Sequence, residues 1–208
     1  GPALYATLAL KGFFPLERLL TLNQGGTSLP SHCDRLKTPG VDMTTGSLGQ
    51  GISLAIGLAM GAKMRGKDYT TYLILGDGEC DEGQVWEGAL SAAHHKLDNL
   101  IAFVDWNKQQ LDGAIDDVLD IGDIGEKFRA FGWHVQQVNG HDVDAVKEAV
   151  EQAKAHKGQP SMIVLDTIKG NGCRLAMETF PCHHLKFKPE QIAPSVIEAE
   201  KVLARPFC

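Results

Sequence analysis

Tyr72-Leu-Ile-Leu75-Gly-Asp77-Gly-Glu79 is an apolar run that stops at an aspartate held between two glycines. Leu100-Ile-Ala-Phe-Val104-Asp-Trp-Asn107-Lys-Gln109 repeats the arrangement, with an asparagine after the run. Two short apolar runs with polar tips read as buried strands. If the strands are neighbours, a carboxylate and an amide oxygen share one end of a sheet. Hard divalent ions take such oxygens and often share them with a phosphate, and flanking glycines let a large anion approach the backbone. An isolated Gly-Asp-Gly reads more readily as a strand–turn–helix corner with a capping aspartate.

The rest of the chain supports a layered α/β fold. Short apolar strands are expected at 70–75, 100–105, 133–138 and 161–167, with helices at 82–95, 123–131, 142–156 and 195–204. Single helices between strands make βαβ units, so the prediction is a three-layer sandwich around a mainly parallel sheet covered on both faces. Ligands of such sheets bind beyond the carboxyl ends of the strands. There the sequence places Gly76-Asp-Gly, Asp105-Trp-Asn-Lys-Gln, Asn139-Gly-His-Asp and Lys169-Gly-Asn-Gly. Upstream, helical spacing marks 4–10 and 16–22, a polar glycine-bearing segment runs over 23–45, and an apolar helix runs over 47–64. Long polar loops inside compact domains tend to be functional. Gly51, Gly57 and Gly61 on that helix predict close packing against the sheet or a partner. No repeat or linker divides residues 1–208, which read as one domain whose abrupt helical start suggests residues missing upstream.

A hydrophobic fraction of 43% supports a sizeable core. The net charge of −6 and pI near 5.7 argue against nucleic acid, and scattered lysines and arginines against a membrane surface. No apolar run approaches the roughly 20 residues of a membrane span, and no signal peptide is visible. The five cysteines (33, 80, 173, 182 and 208) form no Cys-x-x-Cys pair, which suits a reduced, cytoplasmic setting. Cys182-His183-His184 is a poor zinc site, because adjacent side chains rarely converge on one ion.

Gly76-Asp-Gly followed by Asn107-Lys-x-x-x-Asp-Gly113 resembles the diphosphate and Mg²⁺ motif of thiamine-diphosphate enzymes. Pro39-Gly-Val-x-Met-Thr-Thr-Gly-Ser-Leu-Gly-Gln-Gly51 and Gly76-Asp-Gly-Glu-x-x-Glu-Gly83 look like transketolase in particular. Ala130-Phe-Gly-Trp-His134, Asn139-Gly-His-Asp142 and Lys169-Gly-Asn-Gly172 match that family in order and spacing. A lone Gly-Asp-Gly is weak; ordered motifs across nearly the whole chain are specific.

The resemblance implies the diphosphate-binding module of the thiamine-diphosphate fold. Asp77, Asn107 and the Gln109 carbonyl would hold Mg²⁺, with Ca²⁺ or Mn²⁺ as substitutes. Gly76, Gly78, Glu79 and Lys169 would surround the diphosphate. Gly46, Ser47 and Leu48 would lie against the aminopyrimidine, with Gly46 and Ser47 doubling as helix caps. Glu82 would join a carboxylate network between two active sites; as a residue on its own it is a favourable contact at a helix start. His32 and His183 would contact the donor sugar, His184 being the rival for the second role. The family's Gly-His-Pro is Ser31-His32-Cys33 here, which puts loop geometry in doubt, and a further family histidine would fall before Gly1. His94, His95, His134, His141 and His156 read as structural or solvent-exposed.

By the same resemblance the chain covers only the first of three transketolase domains. It is therefore expected to be the N-terminal subunit of a split enzyme, paired with a separate C-terminal subunit carrying the pyrimidine-binding domain and its activating glutamate, in an α2β2 heterotetramer. The implied reaction moves a two-carbon ketol unit from a ketose (phosphate) donor to an aldose (phosphate) acceptor, as in pentose phosphate metabolism. Three alternatives stay open: another enzyme of the class, with an unusual acceptor or a decarboxylation; a silent cofactor-binding subunit; and a nucleotide-binding α/β protein. The lack of Gly-x-Gly-x-x-Gly opposes the last.

Overall fold

A computed structural model describes residues 1–203. They fall into two compact units, one of residues 1–50 and one that starts at Gly51. In the first, helix α1 (Pro2–Leu10) is followed by a short 3-10 turn at Leu16–Thr21 rather than the expected α-helix. Tyr5, Leu8, Ala9, Phe14, Leu29, Cys33 and Val41 form its core. The Tyr5 hydroxyl donates to the Pro30 carbonyl at 2.6 Å, satisfying the polar end of a fully buried ring.

The second unit holds a parallel sheet of β1 (Thr71–Gly76), β2 (Leu100–Trp106), β3 (His134–Asn139) and β4 (Ser161–Asp166), ordered β1-β2-β4-β3. The strands lie where the apolar runs predict, and β1 pairs with β2 as expected. Alternation sorts each strand's side chains onto two faces. Leu73, Leu75, Leu100, Ala102, Val104, Met162 and Val164 point to the face covered by α2 (Gln50–Met64), α3 (Gly83–His94) and α5 (Ile124–Ala130). Ile101 and Ile163 point to the other, against Ala149 and Ala153 of α6 (Val143–Ala155). Asp123 and Asp142 cap α5 and α6, each accepting a backbone N–H three residues on. The three-layer α/β expectation holds.

Some boundaries move. Helix α2 begins at Gln50, not Ser47, because Gly46 (φ +130°) and Gly49 (φ +76°) take left-handed conformations that no helix start can absorb. Gly46 and Ser47 are therefore not its cap residues. Gly57 and Gly61 do not serve close packing within the unit either, since a Cβ on either would meet open space. Gly51 does lie close to the sheet, a Cβ there coming within 3.2 Å of Leu73, and Gly88 of α3 is tighter still, where a Cβ would come within 2.8 Å of Ile52. Two short helices, α4 (Ile115–Val118) and α7 (Arg174–Glu178), add to the expected set. Helix α8 (Pro189–Leu203) starts before its expected 195: Pro189 takes the first-turn position that suits proline, and Pro194 sits inside. The expected end of α8 at 204, like Cys208, lies outside the described residues. Among those residues no helix is long and apolar enough to cross a membrane.

At the foot of the sheet the ring of His134 stacks on that of His156, centroids 4.1 Å and planes 11° apart. Burial first, and the charge of His156 second, hold His134 below the ordinary histidine range. The unfolded chain takes this proton near pH 6.5, the folded chain only at lower pH. In that window the unfolded state binds more protons, so stability present above about pH 6.5 is lost as pH falls. The midpoint of thermal unfolding should drop between about pH 7 and pH 5, and less steeply in His134→Phe. Equal slopes would refute the assignment. His183 shifts in the same direction, so the variant should reduce the slope without removing it.

Candidate functional site

The carboxyl ends of the strands lie level, because the register pairs Gly76 with Asp105 and Asp166 with both Trp106 and Asn139. Asp77, the first residue beyond β1, is 2% exposed. Its Oδ1 accepts the Gly78 N–H at 2.8 Å and its Oδ2 the Lys108 N–H at 2.6 Å. Burial pushes its carboxyl above the usual range; the two N–H donors pull it back, Asp105 raises it and Lys169 lowers it. A carboxylate this deep is costly to ionise without a counter-charge, and a divalent ion is one that could offset the cost.

Beyond β2, the Asn107 side-chain oxygen accepts the Gln109 N–H at 3.1 Å, closing a tight local turn. The Gln109 carbonyl accepts Lys169 Nζ at 3.4 Å. One carboxylate, one amide oxygen and one carbonyl form the oxygen set that Mg²⁺ or Ca²⁺ prefers. The turn that Asp77 opens, Gly78–Asp81, presses on the same loop: a Cβ on Gly78 would lie 2.8 Å from Gln110 Cβ. The Gln110 amide in turn donates to Asp81 at 3.2 Å. Glu79 accepts the Gly76 N–H at 3.1 Å and so bonds within the turn. The Cys80 thiol, fully buried, donates to the Gly76 carbonyl and is pushed up chiefly by burial, which suits packing rather than reactivity. The residues present fit a diphosphate bridged by a hard cation.

Lys169 links this cluster to the late histidines. Its Nζ lies 3.5 Å from His183 Nδ1, and the rings of His183 and His184 meet edge to face at 4.8 Å. The Cys182 thiol donates to the Gln109 side-chain oxygen at 3.8 Å. Burial, then Lys169 and His184, hold His183 below the ordinary range, which favours the neutral imidazole. Glu82 stands exposed at the N-cap of α3, in extended conformation and without a side-chain capping bond.

In the first unit, His32 packs on Gly46, where a Cβ would come within 2.5 Å of the imidazole. Thr45 N–H donates to the Cys33 carbonyl and Arg35 N–H to the Thr44 hydroxyl, which zips the His32 loop to the strip ending at Gly46. Leu48, two residues on, is 55% exposed.

Other site-shaping residues escape a reading of the sequence. Lys108 has a left-handed backbone (φ +65°), and its ammonium bonds the Asp166 carboxylate and the Thr167 carbonyl. Thr167 donates its hydroxyl to Asp105, and His141 Nε2 accepts the Ile168 N–H at 2.8 Å. Their only sequence signal is their position at strand ends.

The family model described as transketolase, thiamine diphosphate binding domain, matches residues 2–198. The chain is 53% identical to the 6-deoxy-6-sulfo-D-fructose transketolase subunit SqwG of Clostridium sp. (strain MSTE9), over 97% of this chain and 73% of that protein. It is 35% identical to one subunit of the apulose-4-phosphate transketolase of Phocaeicola vulgatus, over 96% of this chain and 70% of that protein. A crystallised transketolase mutant from Pichia stipitis superposes with a TM-score of 0.86 at 32% identity, covering 97% of this chain and 31% of its own.

Proposed function

This chain belongs to the transketolase family and carries its thiamine diphosphate binding domain, and we propose that it works as the N-terminal subunit of a split transketolase. In this reading residues 1–208 are one diphosphate-binding domain. A separate C-terminal subunit supplies the pyrimidine-binding domain, two chains of each kind form the complex, and the setting is the cytoplasm. The reaction carries a two-carbon ketol unit from a ketose to an aldose, a transfer of an aldehyde or ketone residue. The buried Asp77 carboxylate, bonded by the Lys108 N–H that lies between Asn107 and Gln109 at level strand ends, is the observation that carries it.

Asp77, Asn107 and the Gln109 carbonyl would hold Mg²⁺, with the Gly76–Glu79 turn and Lys169 around the diphosphate. Gly46, Ser47 and Leu48 would face the pyrimidine. Thiamine diphosphate, when bound, supplies the electron sink for breaking the carbon–carbon bond beside the donor carbonyl. The protein's own work is orientation and proton transfer. His183, neutral near pH 7, takes or returns a proton at a donor hydroxyl. His32 orients the donor sugar, and Glu82 joins the carboxylates between paired sites.

The name of the 53% identical relative favours a sulfonated ketose donor over a phosphorylated one. Titration calorimetry with thiamine diphosphate and Mg²⁺, with and without the C-terminal subunit, tests the core reading; no binding under either condition would sink it. The reconstituted complex should then turn over 6-deoxy-6-sulfofructose faster than xylulose 5-phosphate, with ribose 5-phosphate as acceptor. The opposite order would return the donor to the phosphate class.

A further inference from the structure

We infer that Lys108 is a positioning residue, tying the ends of β1, β2 and β4 into one frame that holds the Asp77 carboxylate in place. The inference rests on the cofactor reading above. Three observations meet in this residue. Its backbone is left-handed, a conformation that costs a non-glycine residue free energy and persists only where surrounding contacts enforce it. Its N–H makes the short 2.6 Å bond to Asp77 Oδ2, so the placement of residue 108 sets the direction of that carboxylate. Its side chain lies over the Trp106 ring, 4.7 Å from the centroid, and its ammonium bonds the Asp166 carboxylate and the Thr167 carbonyl at the end of β4.

These contacts close a loop. Asp77 follows β1, residue 108 follows β2, and Asp166 and Thr167 lie at the end of β4. Thr167 is held from the β2 side as well, by its N–H to the Trp106 carbonyl and its hydroxyl to Asp105. Two residues beyond it, Lys169 reaches the Gln109 carbonyl. One side chain therefore couples the Asp77–Asn107 pair to the segment that delivers Lys169 and His183. The ion pair itself is 44% exposed on the lysine and 51% on the aspartate, so it adds little to folding stability. Geometry is what it fixes, and displacements near 1 Å suffice to cost binding or rate heavily.

That separation of geometry from stability makes the inference testable in the full chain with its C-terminal subunit. Lys108→Met should raise the Kd for thiamine diphosphate with Mg²⁺ about tenfold, read by calorimetry, while the thermal midpoint of the ligand-free chain stays within about 2 °C. Lys108→Arg, which keeps a cation over Trp106 and a donor to Asp166, should recover most of the affinity. Asp166→Asn should weaken binding similarly, and the double variant no more than either alone, as for partners in one interaction. An unchanged Kd in Lys108→Met would overturn the inference. So would a loss of affinity matched by a large fall in midpoint and not recovered by arginine, which would make the residue merely structural. Absence of binding by the unaltered protein would instead defeat the cofactor reading itself.

Discussion

Asp77→Ala is expected to weaken Mg²⁺-dependent thiamine diphosphate binding by about a hundredfold or more. The variant removes the only negative charge among the three proposed ligands. Removing a charge-assisted interaction from a buried site costs roughly 3 kcal/mol, or two decades of affinity. Folding stability should respond far less. The substitution strands the N–H groups of Gly78 and Lys108 but also removes a carboxylate that is costly to bury. These changes oppose each other. Calorimetry with and without Mg²⁺, beside a thermal scan of the ligand-free chain, separates the two effects. If the variant binds as tightly as the original, the metal assignment is wrong; if it unfolds, Asp77→Asn, which keeps one acceptor, takes its place in the same titration.

The second large effect is expected from Gly78→Ala. Its added methyl would sit 2.8 Å from Gln110 Cβ, near the start of that side chain rather than at its flexible end. Backbone must therefore give way, and the backbone concerned is the 107–113 loop that presents Asn107 and Gln109. The Gln110–Asp81 bond is the first casualty. Cofactor affinity should fall about a hundredfold, since the methyl also narrows the approach to the backbone that a diphosphate needs, and the strain should cost about 1–3 kcal/mol of stability. Gly83→Ala, in open space at the start of α3, is the control and should bind normally. Normal binding by Gly78→Ala would show that the turn does not carry the diphosphate.

How much is readable follows from what each feature depends on. The strands are legible because buried parallel strands are short apolar runs, and both Asp77 and Asn107 follow such runs directly. Pairing of β1 with β2 then brings the two strand ends together. The apolar pattern puts the start of helix α2 too early because it continues back through Leu48, while two left-handed glycines delay the first helical turn. Gly57 and Gly61 suggest close packing, yet a glycine's environment depends on which face of the helix is buried. Helix α8 reads as starting too late because Pro194 looks like a start, when Pro189 already provides one. Lys108 is visible only as a residue at a strand end, and its role is not. Its importance lies in a left-handed backbone and in bonds to Asp166 and Thr167, far along the chain, which no local pattern encodes.

The strand order β1-β2-β4-β3 bears on how the site comes into being. The first two strands are neighbours in both sequence and space, so the Asp77–Asn107 pair can form early from nearby segments. β3, the next to leave the ribosome, has no partner until β4 arrives, because β4 inserts between it and β2. Such late, long-range pairing is the slow part of folding. Asp166 and Thr167, which anchor Lys108, sit at the end of that last strand. The proposed cradle is thus finished only when the sheet is, after β4 has paired between β2 and β3.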